Sequence, residues 1–311
     1  SAGLRVFRTK VSYEEPDRRV LNLSTFEIDR SSLLNKGKDS DWTWRTALSY
    51  EPSEDAMLYG GVSKGYRIGQ VNPNRGPSPI DPSDVVIPES YEPDETFNYE
   101  IGAKTSWFDG RLVANLALFW IDWKNIQIDA SRLSDRRNFV ANAGKATSKG
   151  IELSVDARPV EGLDIGGSVT LQDSEIKSID LADSLRSGAV KGDTLPGAVD
   201  VKFAANIQYS WQAFTDKQAY VRVDGQYVDS SPNTFSRQAG TGNPNPFFTM
   251  NESYENINAA IGLVAERWEF AIYGENLTNN DAWILNDGGQ SANPIVTLRP
   301  LTVGARFSFR Y

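Results

Sequence analysis

Apolar and polar residues alternate along much of this 311-residue chain. The closing segment shows the pattern best, because apolar or aromatic residues alternate there with polar or small ones, at Leu301, Val303, Ala305, Phe307, Phe309 and Tyr311. A period of two is the period of a β-strand, in which successive side chains point to opposite faces. The pattern therefore predicts strands that have one apolar face and one polar face.

About thirteen segments carry this alternation, and we predict a strand for each: 3–13, 19–29, 42–51, 56–67, 96–107, 111–128, 146–158, 162–176, 198–212, 217–229, 254–265, 267–278 and 297–311. Many of these segments exceed the roughly 5–6 residues typical of strands in soluble proteins. A strand that crosses a membrane needs about 9–11 residues. Alternation alone fits either a soluble sandwich or a membrane barrel, and the strand length favours the barrel.

The predicted connections alternate between short and long. The short ones lie near 14–18, 51–55, 108–111, 159–162, 212–217 and 266–267, and the long ones near 30–41, 68–95, 129–145, 177–197, 230–253 and 279–296. Outer-membrane barrels have this asymmetry, with short periplasmic turns and long extracellular loops. The predicted fold class is therefore all-β, an antiparallel transmembrane β-barrel.

The strand count predicts that this barrel is incomplete. If the last strand ends in the periplasm, counting back through thirteen strands places residue 1 on the extracellular side. A single-chain bacterial barrel normally has an even number of strands and both ends in the periplasm. We therefore expect residues 1–311 to be the C-terminal portion of a larger barrel, in a sheet that does not close on itself.

Composition narrows the possible functions. The chain has no Cys and no His, which excludes disulfide frameworks, thiolate zinc sites and the Ser-His-Asp triad. Lys and Arg total 32 against 41 Asp and Glu, a net charge of −9, which argues against a nucleic-acid partner. The start of the chain lacks the features of a signal peptide. Since no motif indicates catalysis, a metal site or a cofactor, we predict that the protein is not an enzyme.

Several motifs resemble the barrel of TonB-dependent outer-membrane receptors, from about residue 42 onward. They are Tyr59-Gly-Gly-Val-Ser-Lys-Gly-Tyr-Arg-Ile-Gly69, Tyr99-Glu-Ile-Gly-Ala-Lys104, Phe108-Asp-Gly-Arg-Leu112, Ala117-Leu-Phe-Trp-Ile-Asp-Trp123, Asn142-Ala-Gly-Lys-Ala146, Lys149-Gly-Ile-Glu-Leu153, Tyr273-Gly-Glu-Asn-Leu-Thr278 and the closing segment 299–311. The resemblance implies a barrel of about 22 strands and an N-terminal plug with a TonB-binding segment. Neither the plug nor the TonB box is recognisable in this chain.

The resemblance also implies function and partners. Family members lie in the bacterial outer membrane, in contact with its lipid, and take up a scarce solute such as a ferric siderophore when TonB acts on the plug. Tyr311 resembles the terminal aromatic residue that the barrel-assembly machinery reads. Two alternatives remain open at this point: a passive porin-like barrel, and a soluble extracellular β-protein that binds carbohydrate.

Candidate ligand-binding residues lie in two of the predicted extracellular loops. Loop 230–253 contains Phe235, Arg237, Phe247 and Phe248, and exposed aromatic side chains there could stack on a flat ligand. The alternative is that these rings pack against neighbouring loops. Trp283, in loop 279–296, is either a ligand platform or an anchor at the membrane interface. Loop 68–95, which is rich in Pro and acidic residues, is expected to be a solvated surface loop.

Overall fold

A computed structural model of the chain gives the backbone of residues 1–22, 27–73, 75–286 and 295–310, and the side chains of these ranges apart from 7–40. Its elements, in chain order, are β1 (Ala2–Asn22), β2 (Glu27–Ser53), β3 (Ala56–Arg67), β4 (Gln70–Val71), β5 (Ser90–Tyr91), β6 (Asp94–Trp107), β7 (Leu112–Lys124), β8 (Gln127–Ser131), β9 (Asn138–Asn142), β10 (Lys145–Ala157), β11 (Leu163–Ser178), α1 (Leu181–Ser187), β12 (Val201–Phe214), β13 (Lys217–Val228), β14 (Ser231–Pro232), β15 (Met250–Asn251), β16 (Tyr254–Ala265), β17 (Trp268–Glu275), β18 (Trp283–Asn286), β19 (Ile295–Thr297) and β20 (Thr302–Phe309).

Twelve of these strands form one antiparallel sheet, in the order β1-β2-β3-β6-β7-β10-β11-β12-β13-β16-β17-β20. The other eight strands form four short ribbons within the long connections. Among the described residues, β1 pairs only with β2 and β20 pairs only with β17. The sheet is therefore open, which confirms the prediction of an all-β barrel that this chain does not close.

The N-terminal hairpin differs from the prediction. Segments 3–13 and 19–29 were expected to be two strands joined by a turn at 14–18, but β1 continues through this region and pairs with residues 27–46 of β2. The ladder shifts register between Glu15 and Arg18, on either side of Pro16. Since Pro lacks a backbone N–H, it is accommodated in strands at bulges. Twelve strands thus replace thirteen, and the expected loop 30–41 is part of β2.

This change also moves the start of the chain to the opposite end of the sheet. The N-terminal amine of Ser1 donates a hydrogen bond of 2.7 Å to the carbonyl oxygen of Ala47, and β2 then reaches the short turn at 53–56. Residue 1 therefore lies at the end with the short turns, and its expected extracellular position is wrong. The inference of an incomplete barrel from an odd number of strands therefore fails as well. The unpaired edges at β1 and β20 show directly that the sheet is open.

The apolar face of the sheet is the exposed outer face. Representative side chains keep large fractions of their surface exposed: Ile101 59%, Leu153 37%, Phe203 49% and Phe307 64%. Register places Ile101, Leu118, Ile151 and Leu171 side by side on β6, β7, β10 and β11, as one aliphatic row. A soluble sandwich would bury such a row, so the exposure supports the barrel interpretation. No helix within the described ranges is long and apolar enough to cross a bilayer.

The opposite face is concave and polar, as predicted for a wall that faces an aqueous interior. A cavity of about 1190 Å³ opens on it. Opposite charges are paired along this face, with 3.1 Å between Arg222 Nε and Asp224 Oδ1 and 3.4 Å between Arg306 Nη2 and Glu269 Oε1. Such pairs keep the charged groups on the watery side of the sheet, where their burial costs little.

Candidate functional site

The long connections fold together into a unit that we call the loop assembly: segments 68–93, 125–144, 179–200 and 229–253, without residue 74. Two buried apolar clusters hold it together. The first contains Ile126, Ile128, Ala143, Ala146, Ile176, Ala189, Leu195 and Phe235, and the second contains Ile87, Ala130, Phe139, Ala141 and Ala239. Because each cluster draws residues from at least three segments of the chain, the loops pack as one body.

Arg132 ties segment 125–144 to segment 68–93. Its side chain is fully buried, and its guanidinium donates hydrogen bonds of 2.9 and 2.6 Å to the two carboxylate oxygens of Asp135. A further nitrogen, Nη1, donates to the carbonyl oxygens of Gly76, at 2.7 Å, and Val85, at 3.3 Å. The two hydrogen bonds from Nη1 therefore link the two loops, and the bonds to Asp135 hold the guanidinium in position for them.

Amide side chains make a second set of links between the same segments. Asn72 is buried, and its side chain amide pairs with the backbone of Val140 as a neighbouring strand would. It donates to Val140 O, at 3.0 Å, and accepts from Val140 N, at 2.9 Å. Gln127 Nε2 donates to the carbonyl oxygens of Ile68 and Glu92. These bonds satisfy backbone groups of Ile68, Glu92 and Val140 and so link the two segments.

Segment 229–253 is held against helix α1. Gly188, the residue that caps the helix, has a φ of +79°, and a Cβ atom there would lie 2.2 Å from the carbonyl oxygen of Arg237. The backbone N–H of Gly240 donates to Leu185 O at 2.5 Å. Only glycine combines this left-handed conformation with so close an approach, so the helix end sets the position of Arg237 and its neighbours.

A cavity of about 260 Å³ lies between segments 125–144 and 229–253, with Ser187 of α1 at its wall. Most of its lining is polar: Asp129, Ser131, Asn138, Asn233, Thr234, Arg237, Gln238 and Asn245. Phe247 supplies an aromatic surface, and the guanidinium carbon of Arg136 lies 4.4 Å from the centre of that ring. The cavity thus combines one cationic side chain, one carboxylate, neutral hydrogen-bonding groups and an aromatic ring, which suits a polar organic ligand.

Gln238 gives the cavity a donor that the protein does not use. The residue is 7% exposed, and its Nε2 finds no hydrogen-bond acceptor within the described part of the chain. Buried polar groups are otherwise nearly always satisfied, since an unpaired donor costs about 1–3 kcal/mol. An acceptor on a bound molecule would remove that cost. No group of three acidic residues in the described ranges could hold a metal ion by itself.

The five predicted site residues do not form one site. Arg237 and Phe247 line the cavity, whereas Phe235 is 2% exposed and belongs to the first apolar cluster, so its ring is not available to stack on a ligand. Phe248 and Trp283 are exposed but do not line the cavity. Trp283 joins the base of segment 229–253 through its backbone N–H, which donates to Glu252 Oε2 at 2.8 Å.

The contribution of segment 125–144 was missed from the sequence. Asp129, Arg136 and Asn138 lie in what looks like an ordinary polar loop, and nothing in their spacing marks them as binding residues. Their role comes from the β8–β9 ribbon, which turns this loop toward segment 229–253. The only available signal was the density of Arg and Asp between residues 129 and 137, which is also typical of a solvated surface.

We expect acid pH to tighten the turn at residues 190–193. Burial raises the pKa of the Asp193 carboxyl, although the hydrogen bond from Val190 N and the charge of Arg237 oppose the shift. A carboxyl whose pKa is higher in the folded state stabilises that state below its unfolded pKa and loses this contribution as pH rises through the folded value. Hydrogen exchange of this turn should therefore slow on acidification after correction for the intrinsic rate. Asp193→Asn should remove the dependence, and a dependence that persists would contradict its assignment to Asp193.

Comparisons with known proteins agree with this architecture. A family model described as "TonB dependent receptor-like, beta-barrel" matches residues 1–277. The metal-pseudopaline receptor CntO of Pseudomonas aeruginosa is 27% identical over 136 residues, which make up 43% of this chain and 17% of that protein. The ferric-pyoverdine M114 receptor PbuA of Pseudomonas sp. (strain M114) is 30% identical over 99 residues, 32% of this chain and 12% of its own length.

Solved structures show the same fold. The ferric yersiniabactin uptake receptor FyuA from Yersinia pestis superposes with a TM-score of 0.71 at 17% identity, over 99% of this chain and 42% of that one. The closed form of the ferric-catecholate import receptor Fiu from E. coli K12 gives 0.69 at 19% identity, over 100% and 42% of the two chains. The chain thus spans about two fifths of the length of these receptors.

Proposed function

Because the chain belongs to the TonB-dependent receptor family and its barrel lies in the bacterial outer membrane, we propose that it is the C-terminal barrel portion of a receptor that takes up a metal chelate, such as a ferric siderophore, by TonB-dependent active transport. In this proposal residues 1–311 supply the barrel wall and the binding loops. A plug outside this chain supplies the contact with TonB.

The cavity between segments 125–144 and 229–253 carries the proposal. Arg237 and the unused Nε2 of Gln238 are hydrogen-bond donors, and they fit the carboxylate, hydroxamate or catecholate oxygens that chelate a ferric ion. Phe247 offers a ring to stack on the organic part of such a chelate. The loops stand at the mouth of the barrel, so a ligand held there would be positioned above the polar inner wall.

The relatives support the same substrate class. CntO is by name a metal-pseudopaline receptor and PbuA a ferric-pyoverdine receptor, and FyuA takes up ferric yersiniabactin. These chelators differ in structure, so the likeness supports a chelated metal as the solute without selecting one chelator. The barrel-assembly machinery, reading Tyr311, and TonB, acting through the plug, are the proposed protein partners.

Ligand binding by the cavity is tested by titrating the complete receptor with ferric tris-catecholate, tris-hydroxamate and phenolate–thiazoline chelates. We expect one class to bind, and Arg237→Gln and Phe247→Ala to weaken its binding about tenfold each, the size expected for a central contact. Phe248→Ala and Trp283→Ala are the matched controls, because both side chains are exposed outside the cavity.

Three results would count against the proposal. The first is that none of the chelates binds, and the second is that the cavity variants and a receptor lacking 230–253 bind with wild-type affinity. The third is that chelate uptake continues after the inner-membrane proton gradient is collapsed, since that outcome favours the passive porin-like barrel.

A further inference from the structure

The cross-strand register shows where the outer edge of the apolar band lies. Toward the loop assembly, the aliphatic row that contains Leu118 gives way to an aromatic pair, Tyr99 on β6 facing Trp120 on β7. Both rings are exposed. Aromatic residues concentrate at the boundary between hydrocarbon and headgroups, so this row indicates the interface of the outer leaflet.

Two lysines stand on the same face just beyond the aromatic row. Lys124 follows Trp120 by four residues, which places it on the same side of β7 and about 13 Å further along the strand. Lys145 on β10 lies directly opposite Lys124, and both side chains are exposed. Like charges in directly opposite positions destabilise a sheet, so this pair is costly unless an anion lies between them.

Nearby carboxylates do not supply that anion, because other partners occupy them. Glu95, opposite Lys124 on β6, forms an ion pair of 2.7 Å with Lys64. Asp122 accepts a hydrogen bond of 2.8 Å from Trp120 Nε1, and Asp173 pairs with Lys149 at 3.1 Å. Glu175 pairs with Lys177.

Each of the two lysines is therefore left without a carboxylate. Lys124 Nζ lies 4.6 Å from the centre of the Phe97 ring. Across the part of the chain whose side chains are described, neither Lys124 nor Lys145 forms an ion pair. The pair is thus a cationic site on the outer face, beside acids that already have other partners.

We propose that Lys124 and Lys145 bind the phosphate of an anionic lipid headgroup in the outer leaflet of the membrane. Both ammonium groups lie at the depth of the headgroups, where a basic side chain gains most from anionic lipid. The exposed ring of Trp120 below them would pack against the upper part of the acyl chains. This proposal depends on the membrane location of the barrel and not on the ligand that the loops bind.

The test uses the complete receptor, delipidated in a non-ionic detergent and titrated with lipid A that carries both of its phosphates. Native mass spectrometry counts the bound lipid. We expect saturable binding that K124Q/K145Q weakens about tenfold or more, and K124R/K145R to retain it. The control K191Q/K202Q also removes two exposed lysines, one in the loop assembly and one on the concave face of β12, and should bind as the wild type does.

The source of the phosphate is tested in the same experiment. Lipid A without its phosphates should bind weakly to the wild-type receptor, with the same affinity that intact lipid A has for K124Q/K145Q. Millimolar inorganic phosphate should not displace intact lipid A from the wild-type receptor. Equal lipid binding by the wild type and K124Q/K145Q would overturn the proposal. So would displacement by inorganic phosphate, which would assign the pair to a small anion.

Discussion

Replacing Arg132 by Met is expected to open the loop assembly while the twelve-stranded sheet stays folded. Met keeps much of the length of the side chain but removes the buried guanidinium, so the carboxylate of Asp135 and the carbonyl oxygens of Gly76 and Val85 lose the hydrogen bonds that it donates. Breaking a buried ion pair from one side costs about 3–5 kcal/mol when the remaining charge is left uncompensated, and the ion pair of 3.3 Å that Asp135 keeps with Arg137 Nε offsets only part of this cost.

The pKa of Asp135 supports this interpretation. Burial alone would raise it, but the hydrogen bond and the charge of Arg132, followed by the contribution of Arg137, hold it below its ordinary value. In Arg132→Met the carboxyl loses its main stabilising partner, and its pKa should rise. The folded loops then lose stability as pH increases through the new value, because the ionised carboxylate is buried without the guanidinium of Arg132.

Hydrogen exchange measures this effect directly. Amides of segments 68–93 and 125–144 should exchange about a hundredfold faster or more in Arg132→Met, whereas amides of β10 to β13 should be unchanged. Arg136→Met, in the same turn but exposed, is the matched control and should leave protection intact. The double variant R132M/D135L should recover part of the protection, because it also removes the buried carboxylate that has lost Arg132. If the amides of these segments exchanged in Arg132→Met at the wild-type rate, that result would refute the anchoring role of this residue.

The second large effect is expected on the outer face of β12. Ile207 is exposed between Ile165 on β11 and Val223 on β13, in the middle of the apolar band. Ile207→Arg should destabilise the barrel in lipid by about 2–4 kcal/mol, the cost of an arginine near the bilayer midplane. The next residue along the chain, Gln208, faces the other way.

That neighbour provides the control. Gln208 lines the polar cavity on the concave face, and Gln208→Arg should change the free energy of unfolding by less than about 0.5 kcal/mol. Both variants are measured by denaturant unfolding of the complete receptor in lipid vesicles. Equal losses for the two variants would show that the apolar face does not meet lipid.

Much of the sheet could be predicted because strand periodicity is a local property. The connection near 108–111 was expected to be short, and the structure joins β6 to β7 there through residues with positive φ at Phe108, Asp109 and Gly110. The error at the N-terminus has an equally local origin. Glu14–Arg18 has the composition of a turn around Pro16, and the same composition fits a bulge when a long partner strand is available.

The loops show where prediction from the sequence ends. Phe235 and Phe247 are the same residue type in the same loop, yet one is buried in an apolar cluster and the other lines a cavity. Their neighbours come from other segments, such as Ile126, Ala189 and Arg136. No pattern within residues 230–253 contains that information.

By itself, the sequence determined the strand period, the apolar and polar faces, the alternation of short turns and long loops, and the resemblance to a receptor family. Each of these depends on residues that are close together in the chain, because the backbone turns successive side chains to opposite faces. Only the tertiary structure decided the twelve-strand count, the loop assembly and the cavity. Arg132 meets Gly76 and Val85 across about fifty residues of chain, and contacts over such separations depend on packing among loops that have no periodicity of their own.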